Sequence, residues 1–263
     1  MQKRPFTVML PRFTVVRFDR PGFFGYCFYH LIGFRPEKTK EKMLPPASRR
    51  LAVLLLLAFS IILVRSSIQP RDSFVWLLEI LPAVIGVFTM IFVSPKFQFT
   101  NLVQLLVFIH CVILLIGAHY TYAEVPFFNR LRDIFHMQRN NYDKIGHFAQ
   151  GFIPVLIVRE VLIRRKIIQA GPWLLAFICV SITLSFSAEY ELIEWAVAEA
   201  TGKAADAFLG TQGYVWDTQS DMFCCLIGSM ISLLLFTSLH DKYIKRVAEK
   251  KQQQQSSSKT KTN

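Results

Sequence analysis

Six side chains suited to chemistry stand out: Asp143, His147, Glu191, Glu194, Asp217 and Asp221. Asp143 and His147 are four apart, with Gln150 three further on, so a helix would place all three on one face. Glu191 and Glu194 are three apart and face the same way, whereas Glu189 points elsewhere. Asp217 and Asp221 repeat the spacing of four, with Thr218, Gln219 and Ser220 between them. One imidazole among several carboxylates offers two chemistries. It supplies ligand types for a hard or borderline divalent cation, with His147, Glu191, Asp217 and Asp221 as metal candidates. It also supplies the parts for general acid–base catalysis, with His147 as base or ligand and Asp143 orienting it. No pair of histidines at zinc-site spacing with a glutamate is present. Each pair alone has a plainer reading: Asp143 as a helix cap, the glutamates as a wet helix end, the aspartates as a cap and solvated first turn.

The elements that must position these groups are membrane helices. The 263 residues are 52% hydrophobic and only 18% charged, against about 25% charged in soluble domains. Six stretches approach the ~20 apolar residues needed to cross a ~30 Å hydrocarbon layer: Leu51–Val64 (extended to Ile68), Phe74–Val93, Leu102–Tyr122, His147–Ile163, Trp173–Trp195 and Phe223–Leu239. Short linkers such as Gln69-Pro70-Arg71, Ser94-Pro95-Lys96 and Gly171-Pro172 make neighbouring spans antiparallel, which predicts an all-α polytopic membrane helical bundle. Residues 1–49 form a basic cytoplasmic leader with an aromatic stretch, Phe23–Phe34, suited to a membrane interface. Residues 50–240 form the six-span domain, and 241–263 a disordered polar tail. Met43 is an alternative start.

Lysine and arginine set the orientation. They crowd the leader, the loop at Arg164, Arg165 and Lys166, and the tail from Lys242 to Lys251. Both termini are therefore expected in the cytoplasm. The loop before the fourth span fits this less cleanly, with Arg130, Arg132, Arg139 and Lys144. The net charge of +12 lies in tails and loops rather than on one folded face, so the partner is the lipid bilayer and not nucleic acid. The five cysteines lack metal spacing and read as packing residues.

In this topology all three acidic pairs fall at the outer ends of their spans. A rise of ~1.5 Å per residue puts Glu191 roughly 27 Å beyond Trp173. Carboxylates at membrane depth are costly unless they face one another or a polar cavity, so convergence on one outward-facing site is expected, with His119 and Glu79 as further contributors. His110 is read as bonding a neighbouring helix, and Arg159 as snorkelling beside Glu160.

The segments Asp143–Gln150, Arg159-Glu160, Glu189–Trp195, Ala205–Gly213 and Trp216–Phe223 resemble the YjdF-like family of bacterial inner-membrane proteins, over roughly residues 50–240. Members of that family often carry an acidic residue after the second glycine, where this chain has Tyr214. The resemblance implies a multi-pass protein of the bacterial inner (cytoplasmic) membrane and supplies no reaction. A looser likeness joins the chain to VanZ-like membrane proteins. The expected function is an enzyme acting on a lipid-linked or envelope substrate, with a divalent cation as the cofactor considered. The alternatives are a small ion-coupled transporter and an envelope scaffold or assembly factor.

Overall fold

The computed structural model describes residues 46–202, 208 and 210–259. Residues 1–45 of the leader, Cys27 among them, and Lys203 and Asp206 lie outside the described residues. Eight helices are described, and no strand is present among the described residues. They are α1 (Pro46–Ser67), α2 (Ser73–Val93), α3 (Asn101–His119), α4 (Pro126–Ile134), α5 (Tyr142–Phe152), α6 (Pro154–Arg164), α7 (Pro172–Thr201) and α8 (Asp217–Lys259). Six helical stretches are long and apolar enough to cross a membrane, with α5 and α6 together making the fourth, Tyr142–Arg164.

Local sequence explains most of the boundaries. Asp72 accepts from the backbone N–H groups of Phe74 and Val75 at 2.8 and 3.0 Å and so caps α2. Pro126, Pro154 and Pro172 occupy the first turns of α4, α6 and α7, where the missing N–H costs nothing. Pro154 also divides α5 from α6, because it cannot donate to the preceding turn. Gly202 ends α7 at a φ of 63°, in the left-handed region that favours glycine.

Two groups of helices pack along α3 and α5. Helix α3 lies against α1 and α2, and α8 lies against α5, α6 and α7. Phe59, Ile80, Ala83, Cys111, Leu115 and Ala118 fill the first group's core. Large apolar side chains cover the outside, among them Ile61, Phe88 and Leu234 at 70, 69 and 81% exposure. In water this would be an aggregation surface; against lipid tails it is the expected lining. Since lipid is as apolar as leucine, close backbone approach has to hold the helices together. Helices α5 and α8 supply it: a Cβ on Gly151 would lie 1.9 Å from the carbonyl oxygen of Cys225, and one on Gly228 would lie 2.2 Å from that of Phe148.

Two expectations change. The fourth and sixth spans start at Tyr142 and Asp217, ahead of the apolar runs from His147 and Phe223, because a polar turn precedes each run. Helix α8 continues to Lys259, through the stretch from 241 expected to be disordered; its Lys, Glu, Ala and Gln content favours helix despite being polar.

A buried cluster of acids, His147, Lys144 and Arg139

The first turns of α5 and α8 and the last third of α7 meet at one end of the bundle. Asp143, His147, Glu191, Glu194, Asp217 and Asp221 are all buried there. Glu189 is exposed, as its helical phase requires. The Gly151 and Gly228 contacts lie about two turns deeper. They bring α5 and α8 close enough for short side chains to touch.

The imidazole of His147 has two different edges. Nδ1 faces Oε1 of Gln150 at 3.0 Å and Oε1 of Glu191 at 3.7 Å. Nε2 faces Oδ1 of Asp143 at 3.4 Å and Oδ1 of Asp221 at 4.0 Å. One ligand atom each from Asp143, His147 and Asp221 falls within 4.8 Å of the others. Oε1 of Glu191 is buried and has no hydrogen-bond donor among the described residues. Glu79 on α2 accepts from the hydroxyl of Tyr190 at 2.9 Å, and the Tyr190 ring lies 6.3 Å from that of His147. Glu79 thus extends the polar group toward the bundle interior.

Two permanent cations are built into the cluster. Nζ of Lys144 donates to Oδ1 of Asp217 and to Oδ1 of Asp221, both at 2.7 Å. Arg139, just before α5, binds Asp217 closely and lies 3.5 Å from Asp143. It also donates to the carbonyls of Gly210 and Thr211 at 3.2 and 3.3 Å, fastening the loop that leads into α8. Tyr214 of that loop covers both cations, its ring centroid 5.7 Å from Arg139 and 5.8 Å from Lys144. Asp217, expected as a metal candidate, is instead engaged by Arg139 and Lys144, and Asp143, expected only to orient His147, stands beside His147 and Asp221 as a candidate ligand.

Asn140 was not singled out by its sequence context, yet it is fully buried. Its backbone N–H donates to Oε1 of Gln212, and Nε2 of Gln212 donates back to its carbonyl, both at 2.9 Å. Its side chain reaches Val125 and Asn129 at 3.1 and 2.8 Å. One residue thus locks α4, the 210–213 turn and the start of α5 together. Tyr122 packs below, and burial, then the charge of Glu79, Tyr142, Asp143 and Glu194, pushes its phenol well above the ordinary value of 10.

Other expected contributors lie elsewhere. His119 does not join the cluster: Nδ1 lies 2.8 Å from the carbonyl of Ser66 and ties α3 to α1. Nε2 of His110 is buried without a hydrogen bond among the described residues, so the expected bond to a neighbouring helix is not formed. Arg159 is buried rather than snorkelling and donates to Asp241 at 2.7 Å. Beside it, Glu160 accepts from the N–H and hydroxyl of Thr100, from Arg164 and from His240, at 2.9, 2.7, 2.5 and 3.1 Å. This second cluster, near the opposite ends of the spans, is saturated with partners, the mark of a structural tie.

Residues 51–242 match a family model described as predicted membrane protein, DUF2238. The chain belongs to this family. It is 40% identical over 190 residues to the inner membrane protein YjdF of Escherichia coli (strain K12), covering 72% of this chain and 90% of that protein. No solved structure matches. The DUF2238 match covers both buried polar clusters and all six candidate spans apart from their outermost residues. The chain is thus a multi-pass membrane protein of the YjdF type.

Proposed function

We propose that this DUF2238 member is a membrane-embedded enzyme acting on a lipid-linked or other envelope substrate at the extracytoplasmic face of the bacterial inner membrane. The observation that carries the reading is the buried meeting of the Asp143–His147 pair with Asp221 of a distant sequence cluster, at one end of the bundle. Buried acids without enough counter-charge are expensive in a bilayer. Among the described residues, six carboxylates, counting Glu79, face Arg139, Lys144 and His147 as their cationic partners. The excess favours a working centre that holds protons or a further cation. In this reading His147 is base or ligand, Asp143 orients it, and Glu191 supports its far edge.

The charge distribution supports placing this end outside the cytoplasm. Arg139 and Lys144 belong to the cluster, so they leave the loop charge that blurred the orientation. Arg130 and Arg132 remain in that loop, with Arg65 and Arg71 on the same side, against Arg49, Arg50, Lys96, Arg164, Arg165, Lys166, Lys242, Lys245 and Arg246 near the other. The test is turnover of bacterial envelope lipids by the purified full chain. His147→Ala and Glu191→Gln should abolish it while the protein remains monodisperse, and equal turnover in both variants would end the proposal.

A second reading, an ion-coupled transporter, is favoured by the Glu79–Tyr190 pair and by half-buried His110 with its buried Nε2. Proteoliposome flux that requires a pH gradient would support it over the enzyme. An envelope scaffold would instead use exposed Trp216, and partner co-purification lost in Trp216→Ala would favour that.

A further inference from the structure

We propose that Asp143, His147 and Asp221 bind a divalent cation of the Mn²⁺ or Zn²⁺ class, through Nε2 of His147 and one oxygen of each aspartate, in competition with Nζ of Lys144. The inference deepens the reading above by making His147 a ligand rather than a base.

Nδ1 of His147 meets Oε1 of Gln150 at 3.0 Å and the carboxylate of Glu191 at 3.7 Å. Both are acceptors, so both favour a proton on Nδ1, and a neutral ring then carries its lone pair on Nε2. That lone pair points toward two carboxylate oxygens, at 3.4 and 4.0 Å. Three electron-rich atoms facing one another in a buried place repel unless positive charge lies between them, supplied by a second ring proton or by a metal cation. A metal-bound histidine has this arrangement, its second nitrogen donating to an amide oxygen or carboxylate behind it.

Distances and donor types fit as well. Bonds of about 2.0–2.2 Å place neighbouring ligand atoms roughly 3–3.5 Å apart. The Asp143 contact already has that length, and Asp221 must close by about 0.5 Å. One imidazole with two carboxylates suits hard-to-borderline ions. The independent pointer to a ligand is Glu191, whose buried Oε1 has no donor among the described residues and faces this same ring. Metal binding at Nε2 holds the ring proton on Nδ1, the edge that faces Gln150 and Glu191. Lys144 supplies the competing charge: its Nζ holds Oδ1 of Asp221 at 2.7 Å and lies 4.0 Å from Asp143. A dication at the three ligands repels that ammonium at short range.

Mn²⁺ titrated into the detergent-purified full chain, followed by electron paramagnetic resonance, tests this. The expected result is one Mn²⁺ per chain with nitrogen coupling in the echo modulation. That coupling should vanish in His147→Gln, and affinity should fall at least tenfold in Asp143→Asn and Asp221→Asn. Lys144→Gln should bind about tenfold more tightly, whereas Lys144→Arg, which keeps the charge, should not. A gain of affinity cannot come from misfolding, so the lysine pair protects the test from unstable variants. Absence of saturable binding, binding indifferent to both aspartates, or no gain in Lys144→Gln would overturn the proposal. Turnover that needs His147 without any Mn²⁺ binding would sink the metal site and leave the enzyme reading. Binding without His147-dependent turnover would do the reverse.

Discussion

The close approach of α5 and α8 can be tested by adding a single methyl group. Gly151→Ala puts a Cβ 1.9 Å from the carbonyl oxygen of Cys225, whereas ordinary contact begins at 3.4 Å, a shortfall of about 1.5 Å. The obstacle is backbone, not a flexible side-chain tip, so the two helices must part locally. Overpacking of this kind costs about 1–3 kcal/mol, which in a chain of this size lowers Tm by about 3–10 °C. Gly228→Ala, with its Cβ 2.2 Å from the Phe148 carbonyl, should cost a similar amount. Because both changes prise apart the same contact, the double variant should lose less than the sum. Gly86→Ala is the control: its Cβ meets nothing within 4 Å, and alanine is the better helix former. Thermal unfolding followed by size-exclusion chromatography in detergent gives the readout. If Gly151→Ala melts with the wild type and Gly86→Ala, glycine-mediated packing does not position the cluster.

Other perturbations separate structural from functional roles. Glu160→Ala leaves buried Arg164, His240 and Thr100 without their shared acceptor and should cost about 3–5 kcal/mol, with Glu160→Gln recovering part of it in the same melting assay. Arg139→Ala releases the Gly210 and Thr211 carbonyls; hydrogen exchange across 210–216 should quicken at least tenfold, while Arg132→Ala, which loses only an exposed pair with Asp133, leaves it unchanged. The raised Tyr122 phenol means the unfolded chain loses that proton first as pH rises past 10. The stabilisation is complete below the unfolded value and fades as pH climbs through 10 toward the higher folded one, so Tyr122→Phe should flatten the alkaline limb of Tm against pH.

The acid pairs were legible because i,i+3 and i,i+4 spacing is a local signal that survives without knowledge of the fold. Their cations carried the same signal: Arg139 stands four before Asp143. It was hidden because hydropathy sets a helix start at the first apolar run, so the buried turn from Tyr142 to Gly146 counted as loop and its charges as topology signals. The Glu160 cluster was less accessible. His240 lies 80 residues from Glu160, and nothing periodic in either segment says that α6 and α8 cross there. Asn140 and Gln212 pair across 72 residues, in a turn whose polar composition would fit any surface loop. His119 misled for the converse reason: helix position gave the correct end of the bundle but not the side of α3 on which it bonds.

The length of α8 sets where the end of the polypeptide is delivered. Its 43 residues make a rod of about 65 Å, roughly twice the ~30 Å hydrocarbon thickness. Since the acidic cluster sits on the first turn of this rod, its far end emerges across the membrane, well clear of the headgroups. A fluorescent reporter or affinity handle appended there is carried on a long helix and leaves the acidic cluster at the opposite end undisturbed.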